Sequence, residues 1–570
     1  MRLKLSKSKN STSLYVIKST YKNGVHSSKI VEKLGTETEL RKKLNGADPY
    51  EWANKYIAEL NRKEKENNRE VMVKYSPSKL IRKDEQRSFN GGYLFLQQLY
   101  HRLGLHKISA EISRKYKFTF DLNSILSILI YARIIYPSSK LATFQLSAKF
   151  IEQPNFQLQH IYRALEVITK EADYIQSSLY KNSLKISKRN TGVLYYDCTN
   201  YFFEIEQEEG LKQYGPSKEH KPNPIVQMGL FMDGDGIPLA FSINKGNINE
   251  QLTLKPLEEK ILSDFDLSRF IVCTDAGLAS ESNRKFNNKG ERAFITTQSI
   301  KKLKAHLKKW ALDPKGWSLD GSRKTYDITE LNEINDEDKI FHKERWINEG
   351  GLEQRIVVTY SIKYRNYQRT IRNSQIERAY KAIDFHPERL KKFNANDFKR
   401  FIEKSHCTAD GEIAEHEIYS IDTKLISKEE AFDGFYAVCT NLEDDASSII
   451  KVNKRRWEIE ECFRIMKSEF KARPVYLSRD DRIEAHFMTC FISLIIYRLL
   501  EKKLNGKYTC QEITDGLREM DFLEVKGDGY IPTYTRTDFT DDLHEAFGFR
   551  TDYQIVSSAQ MKKIFRSTRS

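Results

Sequence analysis

Two short apolar runs, each carrying one acid, set the tightest limit on how this chain can fold. They are Val193-Leu194-Tyr195-Tyr196-Asp197-Cys198-Thr199 and Phe270-Ile271-Val272-Cys273-Thr274-Asp275. Both are rich in β-branched and aromatic residues and too short for a helix of ordinary length, so both predict buried strands. A carboxylate in such a strand is costly without a partner. Two readings stay open on the residues alone. Each Asp is a hydrogen-bonded structural residue capping a nearby loop, or the two together coordinate a hard divalent cation, which takes oxygen ligands.

The neighbouring patterns place these runs in a mixed α/β sheet. Ile225–Phe231 and Ile237–Ile243, joined across Asp233-Gly234-Asp235-Gly236, predict two strands with a tight connection. Residues 249–268 read as a helix and Ala293–Thr297 as a further strand. A basic tract (Lys301, Lys302, Lys304, Lys308, Lys309) then opens a strand-rich insertion, with strand-like stretches at Arg355–Ser361 and Glu417–Ile421 and a charged helical part around 372–405. Its segment Lys363–Arg372 interleaves cations with tyrosines, a pattern that suits phosphates and bases, or simply a solvated basic surface. Phe435–Cys439 resumes the sheet.

Upstream, alternation at Leu14–Ile17 and Lys29–Val31 with Gly24 between predicts a hairpin, followed by a charged helix to about Lys74. Ile125, Ile128, Leu129 and Ala132 have core-helix spacing, and Tyr136-Pro137-Ser138-Ser139 marks a break with a new N-cap. The expected division is 1–90 (hairpin and helix, a candidate for DNA-end binding), 91–190 (helical), 191–298 (first part of the core), 299–432 (insertion), 433–503 (second part of the core) and 504–570 (a candidate for dimerisation).

The stretch Asn453–Lys471, NKRRWEIEECFRIMKSEFK, predicts an amphipathic helix. At about 100° per residue, Ile459, Cys462, Phe463, Met466 and Phe470 share one arc, the core side. Asn453, Arg456, Glu460 and Lys467 lie within roughly 60° of one another beside it. A carboxylate flanked by cations and an amide suits a metal-bound phosphate. A solvated edge with an i,i+4 Arg–Glu pair, contributing a few tenths of a kcal/mol, would look alike.

Composition narrows the class. Lys plus Arg exceed Asp plus Glu by 94 − 79 = 15, an excess that favours a polyanionic partner, with anionic membrane as the lesser option. The seven cysteines are scattered without a CxxC pair, which fits single thiols in a reducing cytosol and neither a disulfide frame nor a zinc site. The apolar segments near Leu122–Tyr136 and Phe487–Leu500 are too short or interrupted to span a bilayer and read as buried helices. The expectation is a soluble intracellular protein.

The order Asp197, Asp275, Glu460 resembles the DDE triad of insertion-sequence transposases. The helix is similar to the Y-x2-R-x3-E-x6-K signature of one large group of them: Arg456, Glu460 and Lys467 match its intervals, and Asn453 stands where tyrosine is usual. YYDCTNYFFE, TDAGLAS, YGPSKEHKPNPIVQMGLFMDGDGIPLAFSINKGN and RWEIEECFRIMKSEFKARPVY match further. The resemblance is strong over about 190–300 and 430–500 and weak before 90 and after 505.

This resemblance implies an α/β fold: an RNase H-like mixed sheet with flanking helices, interrupted by the strand-rich insertion and preceded by a mainly helical N-terminal region. It implies that Asp197, Asp275 and Glu460 hold two Mg²⁺ (or Mn²⁺) ions, and that Arg456 and Lys467 contact phosphates, with Asn453 able to donate a hydrogen bond. His220, Lys363 and Arg365 are further DNA-contact candidates, and Trp317 and Trp346 are candidates for stacking a flipped base. The implied partners are the element's terminal inverted repeats and target DNA, joined by a dimer in a synaptic complex in the bacterial or archaeal cytosol, associated with the nucleoid and with no membrane. The implied chemistry is cut-and-paste transposition, often through a hairpin. The alternatives are a catalytically silent transposase-derived DNA-binding protein and an RNase H-like nuclease.

Overall fold

The alternation around Leu14 builds a small core near the start of the chain. Arg2–Lys7 (β1), Thr12–Lys22 (β2) and Val25–Thr36 (β3) pair antiparallel in that order. Glu37–Lys43 (α1) starts at a capping box in which Thr36 and Glu39 satisfy each other's backbone N–H groups, and Pro49–Asn67 (α2) follows. Leu14, Leu40 and Ala53 are the buried centre. The strands number three where the alternation suggested a two-stranded hairpin, because residues 2–7 add an edge to it. The structure, a computed structural model, describes all residues except 9–10, 23–24, 45, 68–72, 74, 386–396 and 408–412, so the expected turn at Gly24 lies outside the described residues. Residues 1–85 with 525–529 form one compact unit, and 86–524 with 530–570 form a second.

The second unit opens with Ser88–Asn90 (β4) and a helical layer: Tyr93–Arg102 (α3), Leu105–Lys115 (α4), Leu122–Ile135 (α5), Lys140–Leu146 (α6), Leu158–Lys170 (α7) and Ala172–Ser183 (α8). Ser139 caps α6 by accepting from the Ala142 N–H at 3.2 Å, at the break the sequence predicts.

The central sheet follows. Val193–Phe202 (β5), Ile225–Asp233 (β6) and Pro238–Lys245 (β7) form an antiparallel meander. Its tight turn is held by Asp233, whose Oδ1 accepts from the Asp235 and Ile237 N–H groups at 3.0 and 2.9 Å. After Leu254–Asp264 (α9), Ile271–Thr274 (β8) returns parallel to β5, and after Glu281–Phe286 (α10), Ala293–Thr297 (β9) lies parallel to β8. The local order β7-β6-β5-β8-β9, with three antiparallel strands and then two parallel ones, is the RNase H-like arrangement.

The insertion continues this sheet. It comprises Ala305–Leu312 (α11), Trp317–Leu319 (β10), Thr325–Tyr326 (β11), Phe341–Glu349 (β12), Leu352–Tyr360 (β13), Ile362–Phe385 (α12), Ile402–Cys407 (β14), Ile413–Ile421 (β15) and Thr423–Glu430 (α13). Phe435–Thr440 (β16) pairs antiparallel with β9 on one side and with β13 on the other, giving ten strands in the order β11-β10-β12-β13-β16-β9-β8-β5-β6-β7. The core sheet thus has no open edge at β16. The cation–tyrosine tract 363–372 is helical, forming the first half of α12.

Ala446–Lys454 (α14) and Trp457–Arg464 (α15) come next, with a π-helical turn at Ile465–Glu469 and then Asp480–Lys503 (α16). The helix α16 corrects the expectation of a short or interrupted apolar segment: its 24 residues are long and apolar enough to cross a membrane, and 89% of its apolar window is buried inside the fold. It lies against β5 and β7 through Phe487 on Tyr201 (ring centroids 4.7 Å) and Phe491 on Phe241 (4.8 Å). The chain ends with Cys510–Glu519 (α17), Asp521–Val525 (β17), Gly529–Pro532 (β18), Asp538–Phe547 (α18), Val556–Ser557 (β19) and Ser558–Thr568 (α19). Phe522 of β17 pairs with Phe89 of β4. Among the described residues six cysteines are free and buried.

Candidate active site

Strand alternation puts the two aspartates together. On β5, Leu194, Tyr196 and Cys198 face the core under α9, and Tyr195 and Tyr201 face the other side. Asp197 has the parity of Tyr195. Tyr195 is in parallel register with Cys273; Asp197 lies two residues further along β5 and Asp275 one residue past the end of β8, which brings the two acids to the same end of adjacent strands. The Tyr195 face of β5 is covered by α14: the Tyr195 hydroxyl donates to the Val452 carbonyl at 2.8 Å.

Each aspartate is partly held by backbone. One oxygen of Asp197 accepts from the Cys198 N–H at 2.7 Å, and one oxygen of Asp275 accepts from the Leu278 N–H at 3.0 Å. Desolvation raises the Asp197 pKa to about 6; the Asp275 charge pushes the same way, against Lys218, the Cys198 N–H and Arg456. Two neighbouring carboxylates, one of them disfavoured as an anion, fit a hard divalent cation, whose charge would reverse that shift.

The expected helix Asn453–Lys471 is broken, and the break redistributes its polar edge. Arg456 is the N-cap of α15, so α14 ends before it. Asn453 is therefore turned inward: it is 7% exposed, and its amide donates to the Tyr436 hydroxyl at 2.9 Å. Arg456 and Glu460 keep their i,i+4 relation and pair at 3.4 Å, with the Glu460 side chain 60% exposed. The π turn adds a residue per turn and carries Lys467 away from that pair, to Glu219 at 3.2 Å. The core stripe stays together, with Ile459, Cys462, Phe463, Met466 and Phe470 all buried. Among the described residues no three His, Cys, Asp or Glu side chains are close enough together to hold a metal. Asp197 and Asp275 are brought together, while Glu460 faces Arg456.

The loop Tyr214–Pro222 adds two residues that the sequence reading passed over. Lys218 donates to the Cys198 carbonyl at 2.5 Å and pairs with Glu250 at 3.1 Å. Its charge is the strongest force holding down the Asp197 pKa. Burial, with Lys218 nearby, pushes Lys467 down to about 8, while the charge of Asp197 acts against that. The signal for Lys218 and Glu219 was present in the phrase SKEHKPN, of which only His220 was singled out. His220 itself is exposed at φ 55°.

Beyond Arg456 and Glu460 opens a cavity of about 720 Å³ between β13, β16, α12 and the α14–α15 pair. Val357 and Val438 form part of its wall, with Tyr364, Tyr367 and Trp457 as aromatic lining and Lys363, Lys454 and Arg456 as cations. Trp457 and Tyr367 are each 60% exposed. Lys363 also pairs with Asp338 at 2.8 Å, and Arg365 with Glu333. Trp317 is fully buried in the insertion, its N–H bound to the Asp313 carbonyl at 3.0 Å, so it has no free face for stacking. Trp346 is 43% exposed, with the Arg355 guanidinium 5.7 Å from its ring centre, and is absent from the cavity wall.

None of the curated proteins matches this chain. A piggyBac transposase, solved by electron cryo-microscopy as a synaptic complex with hairpin DNA, is similar over 76% of this chain and 82% of its own, at 9% identity and a TM-score of 0.36. A likeness at that level carries no inference. The transposase DDE domain model matches residues 202–496, which include Asp275, Arg456, Glu460 and Lys467 and begin just after Asp197. With that match spanning more than half of its length, the chain belongs to the DDE-domain transposase family.

Proposed function

We propose that this protein is the DNA transposase of an insertion sequence, binding the element's terminal inverted repeats and catalysing metal-dependent strand cleavage and 3′-OH strand transfer in a cut-and-paste reaction. The observation that carries this reading is the placement of Asp197, on β5, and Asp275, just past the end of the adjacent parallel strand β8, near enough for the charge of one to act on the other. Asp197 and Asp275 are assigned as ligands of two Mg²⁺ or Mn²⁺ ions. Glu460 is the third, its pairing with Arg456 giving way when a phosphate takes that guanidinium. The ions, when bound, supply activation of the attacking oxygen and stabilisation of the leaving one.

The protein's own groups do the rest. Arg456 and Lys467 bind phosphate oxygens near the scissile bond by charge-assisted contacts. Lys218 balances the charge of Asp197. Tyr364, Tyr367 and Trp457 offer π-faces to DNA bases, with Lys363 and Lys454 on the backbone. A dimer on DNA in the cytosol, pairing two element ends, completes the proposal.

The test incubates the purified protein with DNA carrying the ends that flank its own gene, in Mg²⁺ or Mn²⁺, beside Glu460→Gln. The expected result is end-specific cleavage leaving a 3′-OH, by wild type alone. Equal cleavage by the variant would mean that Glu460 is the wrong acid. The turn of Glu460 onto Arg456 favours a second reading, a catalytically silent DNA-binding protein; tight end binding without cleavage in either metal would establish that one.

A further inference from the structure

Two cations beside β5, Lys467 and Arg473, are already engaged by one acid. Lys467 donates to Glu219 Oε1 at 3.2 Å, and Arg473 pairs with the same oxygen. We propose that Glu219 is an internal counter-anion, occupying the place of a DNA phosphate between Lys467 and Arg473 until DNA displaces it. This inference rests on the reading of the site as a DNA site.

The two cations are the fixed side of this contact. Lys467 stands over the Tyr201 ring at 5.5 Å and Arg473 over the Phe202 ring at 6.0 Å, and both rings belong to β5, the strand of Asp197. Their side chains are only 14% and 26% exposed. The acid comes from a loop rather than from the sheet or its helices. It sits on a turn held by local bonds, with Ser217 Oγ accepting from the Glu219 and Lys221 N–H groups at 3.3 and 3.2 Å and His220 in the left-handed region. That turn is tied to β5 by Asn200, which accepts from the Lys218 N–H at 3.3 Å.

Cations that meet a phosphate release counterions, so binding weakens with salt. Here Lys467 and Arg473 carry a counter-anion from the same chain instead. Any polyanion must displace it, which weakens casual binding. A true element end, held by contacts elsewhere as well, overcomes it. Glu219 therefore discriminates between ends and bulk DNA.

Glu219→Gln keeps the shape and removes the charge. Binding of the full-length protein to a short random-sequence duplex is followed by fluorescence anisotropy at several salt concentrations. The expected result is binding about three- to tenfold tighter than wild type at low salt, with a dependence of log K on log salt steeper by about one unit. The gain should vanish when Lys467→Gln and Arg473→Gln are added. Unchanged or weaker binding by Glu219→Gln, with Lys467→Gln weaker than wild type, would overturn the inference and leave Glu219 as a positioning residue for Lys467. No binding by wild type at any salt would instead defeat the DNA reading itself.

Discussion

Burial and the like charge of Asp275 act on Asp197 in one direction, which ties stability to chemistry at a single residue. Its carboxyl is raised from 3.8 to about 6 in the fold. Between these values the folded state holds a proton that the unfolded chain gives up, so stability falls as pH rises through this window and stays lower above it. Without metal, Asp197→Asn is expected to raise stability at pH 7.5 by about 1–2 kcal/mol and to flatten this part of the pH profile. Urea melts in EDTA at pH 4.5 and 7.5 would test it; identical profiles for the two proteins would sink the idea. On the proposed metal role of Asp197, the same substitution should lower DNA cleavage by about a thousandfold or more.

At the scale of elements, the break at Arg456 and the π turn decide which charges meet, and the packing of their neighbours fixes both. The segment after the π turn is pinned from two helices: Arg133 of α5 donates to the Phe470 carbonyl at 3.0 Å, and the His486 ring of α16 lies 3.1 Å from the Ala472 carbonyl. Burial, with Lys140 and Arg133 close by, holds His486 well below its usual 6.5. The unfolded chain takes up that proton below pH 6.5 and the folded one does not, so stability is lost as pH falls through 6.5. His486→Gln should lose less stability than wild type between pH 7 and 5, as measured by urea unfolding at each pH.

The loop carrying Lys218 and Glu219 depends on a close backbone approach. A Cβ at Gly215 would lie 2.0 Å from the Gly246 carbonyl oxygen. Gly215→Ala should therefore destabilise by about 1–3 kcal/mol, seen as a lower melting temperature. Trp457→Ala, at an exposed position, should leave melting nearly unchanged and weaken binding to single-stranded DNA by roughly 1–3 kcal/mol. Unaltered binding would remove the cavity from the DNA path.

For the whole molecule, residues 1–85 have a hydrophobic centre of their own at Leu14, Leu40 and Ala53, and among the described residues the largest cluster of the second unit starts at Tyr93. Deleting residues 1–85 should leave a cooperative melt of the larger unit, measured by calorimetry, while loss of binding to element ends would locate end recognition in the small unit.

Much of the sheet was legible because alternation and strand composition are local. The acid-bearing runs, the Asp233–Gly236 turn and the buried stripe from Ile459 to Phe470 follow from side-chain periodicity alone. Other features depend on partners distant in sequence. Asn453 turns inward because the helix breaks and Tyr436 waits at 2.9 Å, and Trp317 is lost to the insertion core. Glu219 crosses from a loop to Lys467, whereas Glu460 keeps the local i,i+4 pairing with Arg456 that the helix spacing already offered. The sequence by itself determined the two carboxylate-bearing strands and the buried stripe of the helix that carries Glu460, since each follows from residue type and local period. Only the tertiary structure decided which cation meets which acid, because charges pair through space and the packing of many elements sets those distances.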